Sequence, residues 1–212
     1  MNDRFLAPNS TLDADHPRVQ AFAARHGQAA DPVERAVELY LAVRDGFRYD
    51  PWNVHLDPAQ WKASLVLERA GTEGAHCIDK AMVLAAAARA VGIPSRLHFA
   101  NVRNHIGTAR LEAKLGTDLL VFHGYTGLYL EGRWVAATPA FNIELCERLG
   151  VEPLDFDGRN DSVFQAYDRI AGRFMEYVQD HGAYDTVPFD AMFAAWREHY
   201  GIHADGRWPA PR

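Results

Sequence analysis

Two residues of this chain combine a reactive side chain with a position that could use it: Cys77, at the mouth of a periodic apolar stretch, and His123, at the end of an apolar run. A thiol becomes a nucleophile when an imidazole can take its proton and a third group fixes the ring, the logic common to cysteine and serine acyl-transfer enzymes. The segment Gly71 to Arg96, GTEGAHCIDKAMVLAAAARAVGIPSR, supplies the thiol. In the first turn of a helix a thiol meets unpaired backbone N–H groups and the positive end of the helix dipole, so the position predicts a lowered pKa. The competing reading is a small buried hydrophobe, the ordinary fate of a free cysteine. His123 follows Leu119-Leu120-Val121-Phe122 and precedes Gly124. A strand end beside a helix start is where two side chains can meet at a cleft; without a cysteine partner the same histidine would merely cap a sheet edge.

The elements that must position this pair are legible as periodicities. Ile78, Ala81, Met82, Ala85, Ala88 and Val91 mark one face of a helix that Gly92 ends, with Pro94 just beyond. Its alanines are small enough for neighbours to approach closely, as a central helix requires. Upstream, His16 to Arg25 predicts a short amphipathic helix, and Asp31-Pro32-Val33-Glu34 starts a clearer one running to about Phe47. Asp57-Pro58 starts a third, to about Arg69, which feeds a loop from Gly71 to His76. Downstream, Leu97–Val102, Leu119–His123, Gly127–Leu130 and Trp134–Ala137 read as short strands, the last two joined by the turn Glu131-Gly132-Arg133. Helices are expected again over Ile143–Leu149, over a stretch marked by Phe164, Tyr167, Ile170, Phe174, Tyr177 and Val178, and after Pro188. The expected core is therefore an antiparallel sheet against which the cysteine helix packs.

The chain of 212 residues is 48% hydrophobic, 11% aromatic and 24% charged, with no linker or repeat dividing it, so one domain over residues 1–212 is expected. Its core would span about Asp31 to Asn142, followed by a helical extension over 143–204 and a tail over 205–212. A formal charge of -6 argues against a nucleic-acid partner. Neither a secretory start nor a membrane-length apolar run is evident, which predicts a cytoplasmic protein with no membrane partner, and Cys77 and Cys146 are expected as free thiols.

The runs Cys77-Ile78-Asp79-Lys80-Ala81 and Ala88-Arg89-Ala90-Val91-Gly92-Ile93-Pro94-Ser95-Arg96 resemble the core motif of the transglutaminase-like superfamily, which includes transglutaminases and bacterial relatives described as predicted cysteine proteases. His123, Tyr125, Tyr129, Gly132 and Trp134 match its histidine, following aromatic, strand tyrosine, turn glycine and tryptophan. The resemblance implies an α+β, papain-like fold in which the nucleophile opens a helix and the histidine lies on the adjoining sheet. It carries Cys77 and His123 over as catalytic residues. At the third position, four residues after Trp134, the family usually has aspartate, and this chain has Thr138-Pro139. A carboxylate stabilises the imidazolium, whereas a threonine hydroxyl offers only a neutral hydrogen bond. Asn142 is a second candidate for orienting the ring, since asparagine serves in papain-like proteases.

The function expected is acyl transfer, first of all hydrolysis of an amide or peptide bond, with transamidation as the variant in which an amine replaces water. No cofactor is implied, and the partner is a peptide or amide substrate. A binding module that keeps the fold without turnover is the alternative, with Thr138 as the discriminating feature. For the tetrahedral oxyanion, the backbone N–H of Cys77 is one donor, and Trp52, Asn53 or Trp61 could supply another. A zinc site drawn from His76, Cys77, His98, His105 and His123 lacks close ligand pairs, and Asp155–Asp161 lacks the ligand pattern of a calcium loop, so both read as structure. His76 is expected as an exposed loop residue and Cys146 as a packed one. The stretch Asn104–Thr117, with Arg110 and Glu112, is expected to wall the substrate cleft.

Overall fold

The computed structural model describes residues 3–104, 115–163, 167–168, 172–173 and 175–202. Among these, α1 (Pro17–His26), α2 (Pro32–Gly46), α3 (Ala63–Glu73) and α4 (Cys77–Ala90) precede β1 (Ser95–Asn104), β2 (Leu119–Leu130) and β3 (Arg133–Ala137). Then come α5 (Ile143–Leu149), β4 (Tyr167–Asp168), β5 (Gly172–Arg173), β6 (Met175–Tyr184) and α6 (Phe189–Tyr200). The fold is α+β, with helices packed on an antiparallel sheet of strand order β3-β2-β1-β6.

α4 is the central element because it is buried on every side: each residue from Ile78 to Arg89, the charged Asp79, Lys80 and Arg89 included, is buried. It touches α1, α2 and α3 as well as β1 and β2. Glycine lets the sheet come close. A Cβ on Gly124 of β2 would lie 2.9 Å from Ile78 Cγ1, and beside it the Thr126 hydroxyl donates to the Ala81 carbonyl at 2.9 Å.

Both ends of α4 are fixed by side chains of the sequence motif. At the N-terminus His76 is the cap, accepting the Asp79 N–H on Nδ1 at 3.1 Å while the Asp79 carboxylate accepts the His76 N–H. Asp79 also pairs with Arg69 at 3.1 Å. One turn in, Lys80 is fully buried, and its ammonium donates to the carbonyls of Arg44 (2.8 Å), Phe47 (2.9 Å) and Ala140 (2.8 Å). That tripod ties α4 to the end of α2 and to the segment after β3. At the C-terminus Gly92, at φ +81, reverses the chain, and buried Arg89 donates to the carbonyls of Ser95, Ala7 and Asp185.

The structure corrects the sequence reading at three places. The helix expected from the aromatic spacing between Phe164 and Val178 is not there: β4 and β5 pair with each other, and Tyr177 and Val178 lie in β6. β6 covers the edge of β1, and the pairing of an otherwise open sheet edge outweighs the local helical spacing. The intervening Phe164, Ile170 and Phe174 lie outside the described residues. Second, Leu119–His123 and Gly127–Leu130 are one continuous strand, β2, rather than two. Third, the helix expected from Asp57 divides: Pro58–Gln60 is a separate short 3-10 turn, and α3 starts only at Ala63 and extends through Gly71 to Glu73, which shortens the loop before Cys77. The tail over 205–212 lies outside the described residues.

Candidate active site

Cys77 is the first residue of α4 and is partly buried; His123 lies in β2 and is buried. Both line one cleft, together with Trp52, Val54, Leu120, Trp196 and Tyr200. The walls are mostly hydrocarbon and aromatic, so a charge inside is poorly solvated. Burial pushes the Cys77 thiol up to about 11, against the pull of backbone N–H groups from Gly124 and Ile78. The expectation of a lowered thiol pKa is thereby corrected, because desolvation outweighs the helix terminus. Burial, and after it the neighbouring His76, pushes the His123 imidazole down to about 3. Burial thus favours the neutral form of each group.

β2 delivers His123 through an irregularity. Ala100 of β1 faces His123 and Val102 faces Leu120, so Val121 and Phe122 together oppose the single residue Asn101. This is a β-bulge, and Phe122 takes φ +57, rare for a non-glycine residue. Bulges re-aim the side chains that follow them.

Thr138 follows β3 and is buried; its N–H donates to the Ser162 carbonyl at 3.0 Å and its carbonyl accepts the Tyr40 hydroxyl at 3.1 Å. Its own hydroxyl has no hydrogen-bond partner among the described residues. The Asn142 side chain is committed elsewhere: at the N-cap position of α5 it makes no capping bond to the helix, but it accepts the Tyr49 N–H at 2.9 Å and donates to Glu144. Of the three upstream candidates for an oxyanion donor, Trp61 gives its indole N–H to the His55 carbonyl (2.8 Å) and Asn53 its amide to the Gly74 carbonyl (3.0 Å), while Trp52 lines the cleft.

His76 is buried rather than exposed, because it caps α4 and packs on Trp61 with ring centroids 5.2 Å apart. His98 points elsewhere, accepting from Arg96 Nε at 2.8 Å and stacking on Tyr125. Asp157 spends its carboxylate on the backbone N–H groups of Arg159 and Asn160. Among the described residues no group of three or more His, Cys, Asp or Glu side chains is arranged to hold a metal ion. Cys146 is buried, and both cysteines are free thiols. Arg110, Glu112 and His105 lie outside the described residues, although Leu115, from the same expected wall, does line the cleft. Trp196 and Tyr200 also line the cleft, whereas the sequence supported no more for them than a place in the helix expected after Pro188, where aromatic residues serve packing or a cleft wall alike. Nothing in a helical aromatic row distinguishes the two roles.

The family model described as transglutaminase-like superfamily matches residues 20–139, more than half of the chain. The chain belongs to that superfamily. The match takes in Cys77, His123 and Thr138 and ends before α5, β6 and α6. Among solved structures, the chain is similar to "a Putative Cysteine Protease from Cytophaga hutchinsonii" at 18% identity and a TM-score of 0.48, over 64% of this chain and 40% of that one. The chain thus spans less than half of the matched protein's length. No curated protein matches it. No helix among the described residues is long and apolar enough to cross a membrane.

Proposed function

We propose that this chain is a cysteine acyl-transfer enzyme that hydrolyses amide or peptide bonds, with Cys77 as nucleophile and His123 as proton acceptor and donor. The observation that carries the reading is that a helix-opening cysteine and a strand histidine, from segments forty-odd residues apart, line one apolar cleft. Because burial favours the neutral form of each group, the proton leaves Sγ as attack proceeds. Sγ bonds to the acyl carbon while His123 takes its proton, and the tetrahedral oxyanion is received by backbone N–H groups at the start of α4. Collapse breaks the C–N bond, and the departing amine takes the proton from His123. Water then attacks the thioester, passing a proton through His123 to the sulfur, and the acid is released. An amine in place of water gives transamidation.

Cytoplasmic location and a peptide or amide partner belong to this proposal. The test is incubation of a mixed peptide digest with the protein and with Cys77→Ala, read by mass spectrometry with and without added methylamine. New N-termini made only by the native protein support hydrolysis, and methylamide products support transamidation. Identical peptide maps for the two proteins favour the binding module instead. Thr138, in place of the family's acid, is the feature that motivates that second reading.

A further inference from the structure

The bulge before His123 displaces backbone groups that a regular strand pair would satisfy, and three of them, the N–H and C=O of Val121 and the N–H of Phe122, bond to side chains. The Val121 N–H donates to the Tyr200 hydroxyl at 2.5 Å, and the Val121 carbonyl accepts the Trp196 indole N–H at 2.9 Å. The Phe122 N–H donates to Asn101 Oδ1 at 3.1 Å. Tyr200 then passes its own proton on to the Leu119 carbonyl at 3.2 Å, so one phenol bridges the strand on both sides of Leu120.

Asn101 is itself held from the other side. Its amide donates to Gln179 Oε1 at 3.1 Å, and His181 Nε2 sits 2.8 Å from its Oδ1. His181 is an extra residue in β6, since Phe99 faces Gly182 while Ala100 faces Asp180. Its ring stacks on Phe122 at 4.0 Å and 14°. Two bulges in the strands flanking β1 therefore meet across Asn101. β6 and α6, which lie beyond the part of the chain that the family model matches, supply most of these contacts.

A buried backbone N–H or C=O left unpaired is costly, and a residue at positive φ persists only where its surroundings fix it. The contacts at Val121 and Phe122 meet both conditions one residue before the imidazole. A carboxylate at the third family position would hold the ring directly; Thr138, whose hydroxyl bonds to none of the described residues, does not. We propose that Asn101, Trp196 and Tyr200 are positioning residues for His123, a clamp that fixes the bulge and with it the point from which the ring enters the cleft. The clamp deepens the acyl-transfer reading and rests on it for its purpose, though not for its geometry.

The test compares Tyr200→Phe, which removes only the hydroxyl, and Trp196→Phe with Ser64→Ala, which removes a buried hydroxyl bonded to Asp13 in α3, away from the cleft. Melting temperature, the NMR titration of the His123 ring (assigned by its loss in His123→Gln) and the pH profile of Cys77 alkylation by iodoacetamide are read on each. Both clamp variants are expected to move the His123 titration midpoint and to slow alkylation near pH 7 by roughly tenfold to a hundredfold, the order that small misplacements of a reacting group produce. Ser64→Ala is expected to lower only the melting temperature. The proposal is overturned if the clamp variants lose stability as Ser64→Ala does while their His123 titration overlays that of the native protein. Failure of the acyl-transfer reading is a separate result: native alkylation would then be indifferent to His123→Ala, and the His123 titration would still decide the clamp.

Discussion

Replacing Lys80 by methionine removes an ammonium while keeping most of the length and the apolar stem of the side chain. Lys80 is 0% exposed, and its three N–H groups meet three carbonyls at 2.8–2.9 Å. Each buried carbonyl left without its donor costs about 1–3 kcal/mol, roughly 3–9 kcal/mol for the three. Against this, methionine avoids desolvating a charge, an offset of several kcal/mol. The net loss expected at pH 7 is about 2–4 kcal/mol, measured as a fall in the urea midpoint at unchanged m. The pH dependence adds a second arm. Burial pulls Lys80 down to about 7, below the unfolded value of about 10.4, so between those values the unfolded chain holds more protons than the folded one. Lys80 therefore makes native stability rise with pH across that window and contributes no slope below it. Lys80→Met lacks this slope, and the gap between the two proteins should widen toward pH 10. A loss under about 1 kcal/mol would refute the tripod as a source of stability, and parallel pH profiles would refute the lowered Lys80 pKa.

Acid should act in the opposite sense. His98, through burial and then Arg96, is lowered to about 4, and His123 to about 3, so the unfolded chain takes up protons first as pH falls below about 6.5. Stability should fall from there toward pH 4, by about 1.4 kcal/mol per pH unit for each proton taken up, and His98→Gln should remove about one proton from the slope. A profile flat between pH 6.5 and 4 would contradict this. Gly124→Ala should cost about 1–3 kcal/mol and change Cys77 reactivity, since its Cβ would press on Ile78, the residue after the thiol, at 2.9 Å; unchanged melting and alkylation would show that the contact yields freely.

What the sequence disclosed depended on how local the physics was. α4 was readable because its apolar periodicity and its terminating glycine lie within one segment. Lys80 was not, because three carbonyls from α2 and from the segment after β3 satisfy it, and a lysine in a motif carries no mark of burial. His76 looked like a loop residue until the Asp79 three positions on proved to close a capping box around it. The bulge was invisible for the same reason: it exists only in the register between Asn101 and Val121–Phe122, and the groups that stabilise it come from Gln179, His181, Trp196 and Tyr200. β6 shows the converse failure, in which aromatic residues at helical intervals were recruited to a sheet edge. Pairing Cys77 with His123 came from the family resemblance and the strand-end argument together. That burial favours the neutral form of each follows only from the apolar walls around them.

The central claim is that Cys77 is acylated with help from His123. It is tested most directly by intact-mass measurement after mixing with p-nitrophenyl hexanoate, whose apolar acyl chain suits the cleft. The account predicts rapid addition of one acyl group, mapped to Cys77, then turnover; Cys77→Ala should take up none there, and His123→Ala should react roughly a hundredfold more slowly or worse. Acylation of Cys77 at an equal rate with and without His123, or an adduct found on another residue, would contradict it.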